Sequence, residues 1–314
     1  MSEFYDVVRS RYLNRYMTVL SKKRDANTYD FRHLIQNKVL RARLDQGNCI
    51  LEVHPEDYLL ASFNEIVRYM GKGLIAYYDF CLEPRLTSRS WRYVTLYYSL
   101  YFFAILFGRI AGQSVIYLDS IEASALANLV AALSGSDYQL CKGNYVLVID
   151  KPDEPIVTRS AVEIRVVNTG NNGSHEIAWS QFYDILNSWR AGFRGRSLVT
   201  LTGIRNSLAK NTSVFSETRN RLNYRGRYTF LELDEGIVFL GPDKRSKCLD
   251  ELDREISLIT RFTSASESSV LQVSHTLGSF FFALFSVALN DLHSGQPHPG
   301  SHYIKQLTKR FEVA

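Results

Sequence analysis

The chain has 314 residues, 46% of them hydrophobic, which is enough to bury a large core in one large domain or two ordinary ones and excludes a disordered chain. Its net charge of +5, from 37 basic and 32 acidic residues, is too mild for a uniformly basic coat, so any nucleic-acid surface must be local. Four cysteines, Cys49, Cys81, Cys141 and Cys248, lack paired spacing; this argues against a zinc site or a disulfide framework and fits a reducing cytoplasm.

The opening residues MSEFYDVVRSRYLNRY have no apolar run behind their charges, so no secretory signal is expected. Apolar positions Phe4, Val7, Val8, Tyr12, Tyr16, Val19 and Leu20 recur at helical spacing and predict an amphipathic opening helix. A second basic segment, FRHLIQNKVLRARL, follows from Phe31 to Leu44 and ends before the Gly47 and Asn48 loop. Residues 1–48 are therefore expected to form a basic, amphipathic, helical N-terminal segment. Pro55 suits the first position of a helix running to Phe80, and Ser88 or Ser90 can cap an aromatic helix from Trp91 to Ile110.

In the middle, SVIYL, YVLVID and VEIRVV are short and rich in β-branched residues, and they predict a small sheet inserted around residues 114–170, with a helix at Ala123–Leu133 between the strands. Helices are expected again at His175–Trp189 and Ser213–Arg225, followed by a hairpin around residues 228–241 and two more helices at Leu249–Thr263 and Ser268–Leu292. The fold class is α+β, predominantly α: a helical bundle over residues 49–314 with a small inserted β-sheet and a β-hairpin. Tyr93–Gly108 and Thr276–Asn290, of 16 and 15 uncharged residues, fall short of the roughly 18 a membrane span needs. They are taken as the buried centre of the bundle, with no membrane contact.

The stretch SETRNRLNYRGRY, Ser216 to Tyr228, is the most polar and cationic of the predicted helices. On a helix, Arg219 and Asn223 share a face, as do Asn220 and Tyr224, and Arg221 and Arg225. Basic residues in a last turn also compensate the helix dipole with no ligand at all. Two asparagines within this turn are poor helix formers and point instead to amides that bond something specific. Arg205 and Asn206 repeat the Arg-Asn pair one segment earlier.

The cluster Asp291, His293, His298 and His302 matches no zinc-binding spacing and is taken as an exposed loop, so no metal or other cofactor is expected. The stripe Phe280, Phe281, Phe282, Leu284 and Phe285 is taken as core or as a subunit interface. There is no glycine-rich phosphate loop, GxSxG elbow or HExxH segment.

The tyrosine-rich helix SRSWRYVTLYYSLYFFAILFGRIAG, followed downstream by ETRNRLNYR, resembles the HEPN superfamily of helical bundles, especially divergent members of bacterial defence and toxin systems. The resemblance implies a metal-independent ribonuclease or RNA-binding protein, working as a homodimer or with a partner protein. Arg219 would hold the phosphoryl charge, Asn220 would orient ribose or phosphate, and Arg221, Asn223, Arg225, Arg205 and Asn206 would contact RNA or another phosphate-bearing ligand. The family's histidine, five residues after the arginine, falls on Tyr224. A tyrosine with a pKa of about 10 is protonated at pH 7, so the proton acceptor would be Tyr224 itself or a histidine from elsewhere such as His175 or His275. Without such a base the helix is left as a binding, scaffold or structural element.

Overall fold

The computed structural model describes residues 2–17, 29–82, 89–152, 154–170, 172–208, 214–224, 249–259 and 267–295, and over these the chain is predominantly helical with one five-stranded antiparallel sheet. It divides into two units: Met1–Ser10, Tyr69–Ala104 and Phe182–Ala314 make the first, Arg11–Arg68 and Ile105–Gln181 the second. The expected hairpin around residues 228–241 lies outside the described residues.

The opening helix is observed as α1 (Glu3–Val8), a π-helical turn at Arg9–Leu13 and α2 (Asn14–Met17), with Phe4, Tyr5, Val8, Tyr12 and Tyr16 buried. The second basic segment departs from expectation. Only Phe31–Asn37 is helical (α3), capped by the Asp30 side chain on the His33 amide; Val39–Asp45 is instead a strand, β1, paired with β2 (Asn48–Val53). The cause is the two-residue turn at Gln46 and Gly47, with φ of 47° and 80°, whose left-handed backbone matches the twist of a hairpin. With that turn fixed, Arg41 and Arg43 point to one face and Ala42 to the other.

In the second unit the strand order is β1-β2-β5-β4-β3, where β3 is Gln113–Leu118, β4 Gly143–Ile149 and β5 Val162–Asn168. α6 (Ser120–Ser134), opened by a capping box on Asp119 and Glu122, lies against β1 and β3 on one face of this sheet. Glu65 on α4 (Pro55–Leu82) meets Arg109 on α5 (Arg89–Ala111) at 2.5 Å; both side chains are almost wholly buried. A second guanidinium nitrogen of Arg109 donates to the Val115 carbonyl at 2.7 Å, and its plane lies over the Phe31 ring at 5.3 Å. The last carbonyls of α5 are satisfied from α2: Tyr16 donates to the Arg109 oxygen at 3.2 Å and Arg15 to that of Ile110. Gly112, at φ 80°, turns the chain into β3 where a Cβ would strike Ile149 at 2.6 Å.

The first unit is a helical core. Phe103 of α5 packs on Phe281 and Phe285 of α11 (Glu267–Gly295), at ring distances of 5.8 and 5.2 Å, and Phe281 also meets Phe182 of α7 (Ser174–Trp189) at 5.9 Å. Of the phenylalanine stripe, read as core or subunit interface, Phe280, Phe281, Leu284 and Phe285 are buried within the chain and Phe282 is partly buried. By length and composition, Trp91–Ala111 and Val270–Asp291 are long enough and apolar enough to cross a membrane, which corrects the shorter spans taken from the sequence; 72% and 50% of the two stretches are buried within the chain.

A helix not expected from the sequence, α8 (Gly195–Ser207), packs against α1 and α10 (Leu249–Ser257). Its buried residues are Ser197, Thr200, Leu201, Gly203, Ile204 and Ser207, and the small ones among them let α10 approach closely. Asp253 of α10, 1% exposed, accepts from Thr200 at 2.5 Å and from Ser2 at 3.4 Å, with Arg196 at 3.5 Å; burial pushes its carboxyl above the usual range against the pull of these partners. An added Cβ at Gly203 would lie 2.0 Å from the Ile256 carbonyl oxygen. Gly203→Ala should therefore lower stability by about 1–3 kcal/mol in denaturant titration, with α10 forced away; an unchanged midpoint would show that the contact is not close.

Candidate functional site

The helix that carries SETRNRLNY is α9 (Val214–Tyr224). It buries Val214, Phe215, Thr218 and Arg219, the i, i+1, i+4, i+5 pattern of one helix face, and it packs against α11. Tyr93 of α5 donates to the Phe215 carbonyl at 3.5 Å and fixes the helix axially. This positions Arg219 inward, over the middle of α5.

The Arg219 guanidinium lies 5.2 Å from the ring centroid of Tyr97 and 5.6 Å from that of Tyr98. The residue is 9% exposed, and its Nε has no hydrogen-bond partner among the described residues. Tyr97 is held in turn by Tyr101, whose ring stacks on it at 6.4 Å and 7°. Two ring faces return about 0.5–2 kcal/mol to a cation. Removing a cation from water costs several kcal/mol. The ring contacts alone therefore leave part of that cost uncompensated.

The remaining predicted residues are distributed as follows. Asn220 is exposed, since successive residues on a helix point about 100° apart, so it does not converge with Arg219 inside the core. Arg221, Asn223 and Tyr224 continue the helical backbone of α9, and Arg225 lies outside the described residues. Arg205 and Asn206 end α8, both partly buried, and the Asn206 amide donates to the Ile259 carbonyl at 3.2 Å, a bond that ties α8 to the end of α10. His275 packs its ring edge on Phe80 at 5.8 Å, and His175 belongs to the other unit. Asp291 accepts from the Tyr5 hydroxyl at 2.6 Å and faces Arg9 at 3.1 Å; His298 and His302 lie outside the described residues.

Tyr97, Tyr98 and Lys72 were not among the predicted site residues. Their signal was present in the sequence: YYSLYF places aromatic rings at i, i+1, i+4 and i+5 of α5, one continuous face, which the tyrosine-rich helix was read to spend on the core. No family model, curated protein or solved structure matches the chain. The site therefore stands on its own geometry.

Arg219 and Arg109 make an internal comparison, one cation without a carboxylate partner among the described residues and one with. Arg219→Met should leave unfolding stability within about 1 kcal/mol of the wild type or above it, because it replaces a desolvated charge by an apolar side chain of similar length. Arg109→Met should cost about 3–5 kcal/mol, because it strands Glu65. Chemical denaturation of the two variants checks this. Equal, large losses would show that Arg219 is a structural cation.

Proposed function

We propose that this protein binds RNA through the α9 helix, with Arg219 as the phosphate contact, in the manner of the HEPN-like proteins of bacterial defence and toxin systems that its sequence resembles. The observation that carries the reading is a guanidinium buried over two tyrosine rings with its Nε unbonded among the described residues. Arginine suits phosphate because its planar fork presents parallel N–H donors to two oxygens. Asn220, exposed on the same helix, offers a further polar group to the backbone of an RNA strand. The protein acts in the cytoplasm as a homodimer or beside a partner protein.

Cleavage requires, besides Arg219, a group that takes the 2′-hydroxyl proton. In this reading Tyr224 occupies that place, and no metal takes part. One observation favours a second reading, a non-cleaving interaction subunit: no histidine stands five residues after Arg219.

The two are separated by incubating the protein with total RNA in the presence of a chelator, for wild type, Arg219→Ala and Tyr224→Phe. An active site loses cleavage in both variants. Binding without cleavage in all three selects the interaction subunit. In either case the affinity falls as salt rises, and Arg219→Ala weakens it at every salt concentration. An Arg219→Ala protein that binds RNA as well as the wild type would remove α9 from the function.

A further inference from the structure

In the first unit, the rings around Arg219 do not end at Tyr98. Along α5, Tyr98 meets Tyr101 at 6.5 Å and Phe102 at 6.2 Å, Tyr101 meets Phe102 at 5.8 Å, and Phe102 meets Tyr69 of α4 at 6.4 Å. The row is therefore continuous from Tyr97 to Tyr69. It carries a cation at each end: Arg219 over Tyr97 and Tyr98, and Lys72 over Tyr69 and Phe102, at 5.3 and 5.6 Å from their centroids. Lys72 is exposed, and Tyr69, Tyr98, Tyr101 and Phe102 are each partly buried. Trp91, 57% exposed, lies on the same stripe two helical turns before Tyr98, with Thr95 between them.

A core aromatic is buried on all sides, as Phe103 is on the opposite side of the same helix. Partly exposed rings in a row, bracketed by cations, fit a ligand that alternates flat π faces with negative charges. Single-stranded nucleic acid has that form: bases stack on aromatic side chains while lysine and arginine take the phosphates on either side. A duplex does not, because its bases are stacked on one another and only its backbone is offered.

We infer that the α5 row Trp91, Tyr98, Tyr101 and Phe102, between Arg219 and Lys72, is a stacking platform for single-stranded RNA. The inference rests on the RNA-binding reading of Arg219 and narrows it to an unpaired strand. The strand lies along α5, with one phosphate at Arg219, another at Lys72, and its bases on the ring surface between them. Nothing in this arrangement selects a base, so affinity depends on strand character more than on sequence.

The test is fluorescence anisotropy with a labelled single-stranded oligouridylate and with an RNA duplex of equal length, using the full chain. The wild type should bind the single strand more tightly than the duplex. Tyr98→Leu and Phe102→Leu, which remove a ring but keep an apolar side chain, should each weaken single-strand binding about tenfold. Tyr98→Phe should bind as the wild type does, which separates ring stacking from the hydroxyl and from misfolding. Lys72→Ala, at an exposed position where no packing is lost, should reduce the salt dependence by about 0.7 in log–log slope, one phosphate contact on a single strand.

Leucine variants that bind like the wild type while Arg219→Ala is impaired would overturn the platform and leave the phosphate contact standing. Leucine variants that lose binding while Arg219→Ala does not would leave the platform and overturn the Arg219 reading. If neither oligonucleotide binds, and the chain is a dimer that Phe102→Arg splits into monomers, the row is a protein interface and both fall.

Discussion

Taking a guanidinium out of water must be compensated, and among the described residues the buried arginines meet that demand differently, Arg109 with a carboxylate, Arg92 with a ring and a carbonyl, Arg219 with two rings. Arg109 faces a carboxylate at 2.5 Å, donates to a carbonyl at 2.7 Å and lies over a ring at 5.3 Å. Arg92 sits over Phe80 at 5.2 Å and reaches the Phe80 carbonyl at 3.5 Å. Arg219 has two tyrosine faces and an unbonded Nε. The first two are parts of the framework. For the third, the π contacts return less than the desolvation costs, and in the proposed reading an RNA phosphate makes up the difference.

The same helix serves both purposes. α5 gives Arg109 and its terminal carbonyls to the second unit, where Glu65, Tyr16 and Arg15 fasten them beside the sheet. In the first unit it gives Phe103 to the core with Phe281 and Phe285, and its other faces to the aromatic row under Arg219. A stacking surface gains from rings already held by their neighbours, as Tyr97, Tyr98, Tyr101 and Phe102 hold one another, since these lose little entropy when a base settles on them.

Much of the fold was legible. The helices at Pro55–Leu82, Arg89–Ala111, Ser120–Ser134 and Ser174–Trp189 follow from apolar periodicity and from their caps, and β3, β4 and β5 follow from β-branched runs. Two elements were misread for separate physical reasons. In VLRARLD the arginines resemble those of the preceding helix, but the pattern alternates with period two and ends on a turn that only a hairpin uses. In GRSLVTLTGIRNS the buried residues are mostly serine, threonine and glycine, with Leu201 and Ile204 the apolar ones, so the apolar stripe that marks the helix is weak; its close approach to α10 appears only once both are in place. The site was half legible. Arg219 stood out by charge, but its orientation and its tyrosine partners depend on how α9 packs against α5, and no local pattern encodes that.

The central claim is that Arg219 Nε waits for a phosphate. Selective 15N-arginine NMR observes the side-chain Nε–H directly, and the Arg219 signal is assigned by its loss in Arg219→Met. On addition of single-stranded RNA this resonance should move downfield and exchange more slowly with water, as a new charge-assisted hydrogen bond requires. RNA that binds while the Arg219 Nε–H signal stays in place would contradict the account.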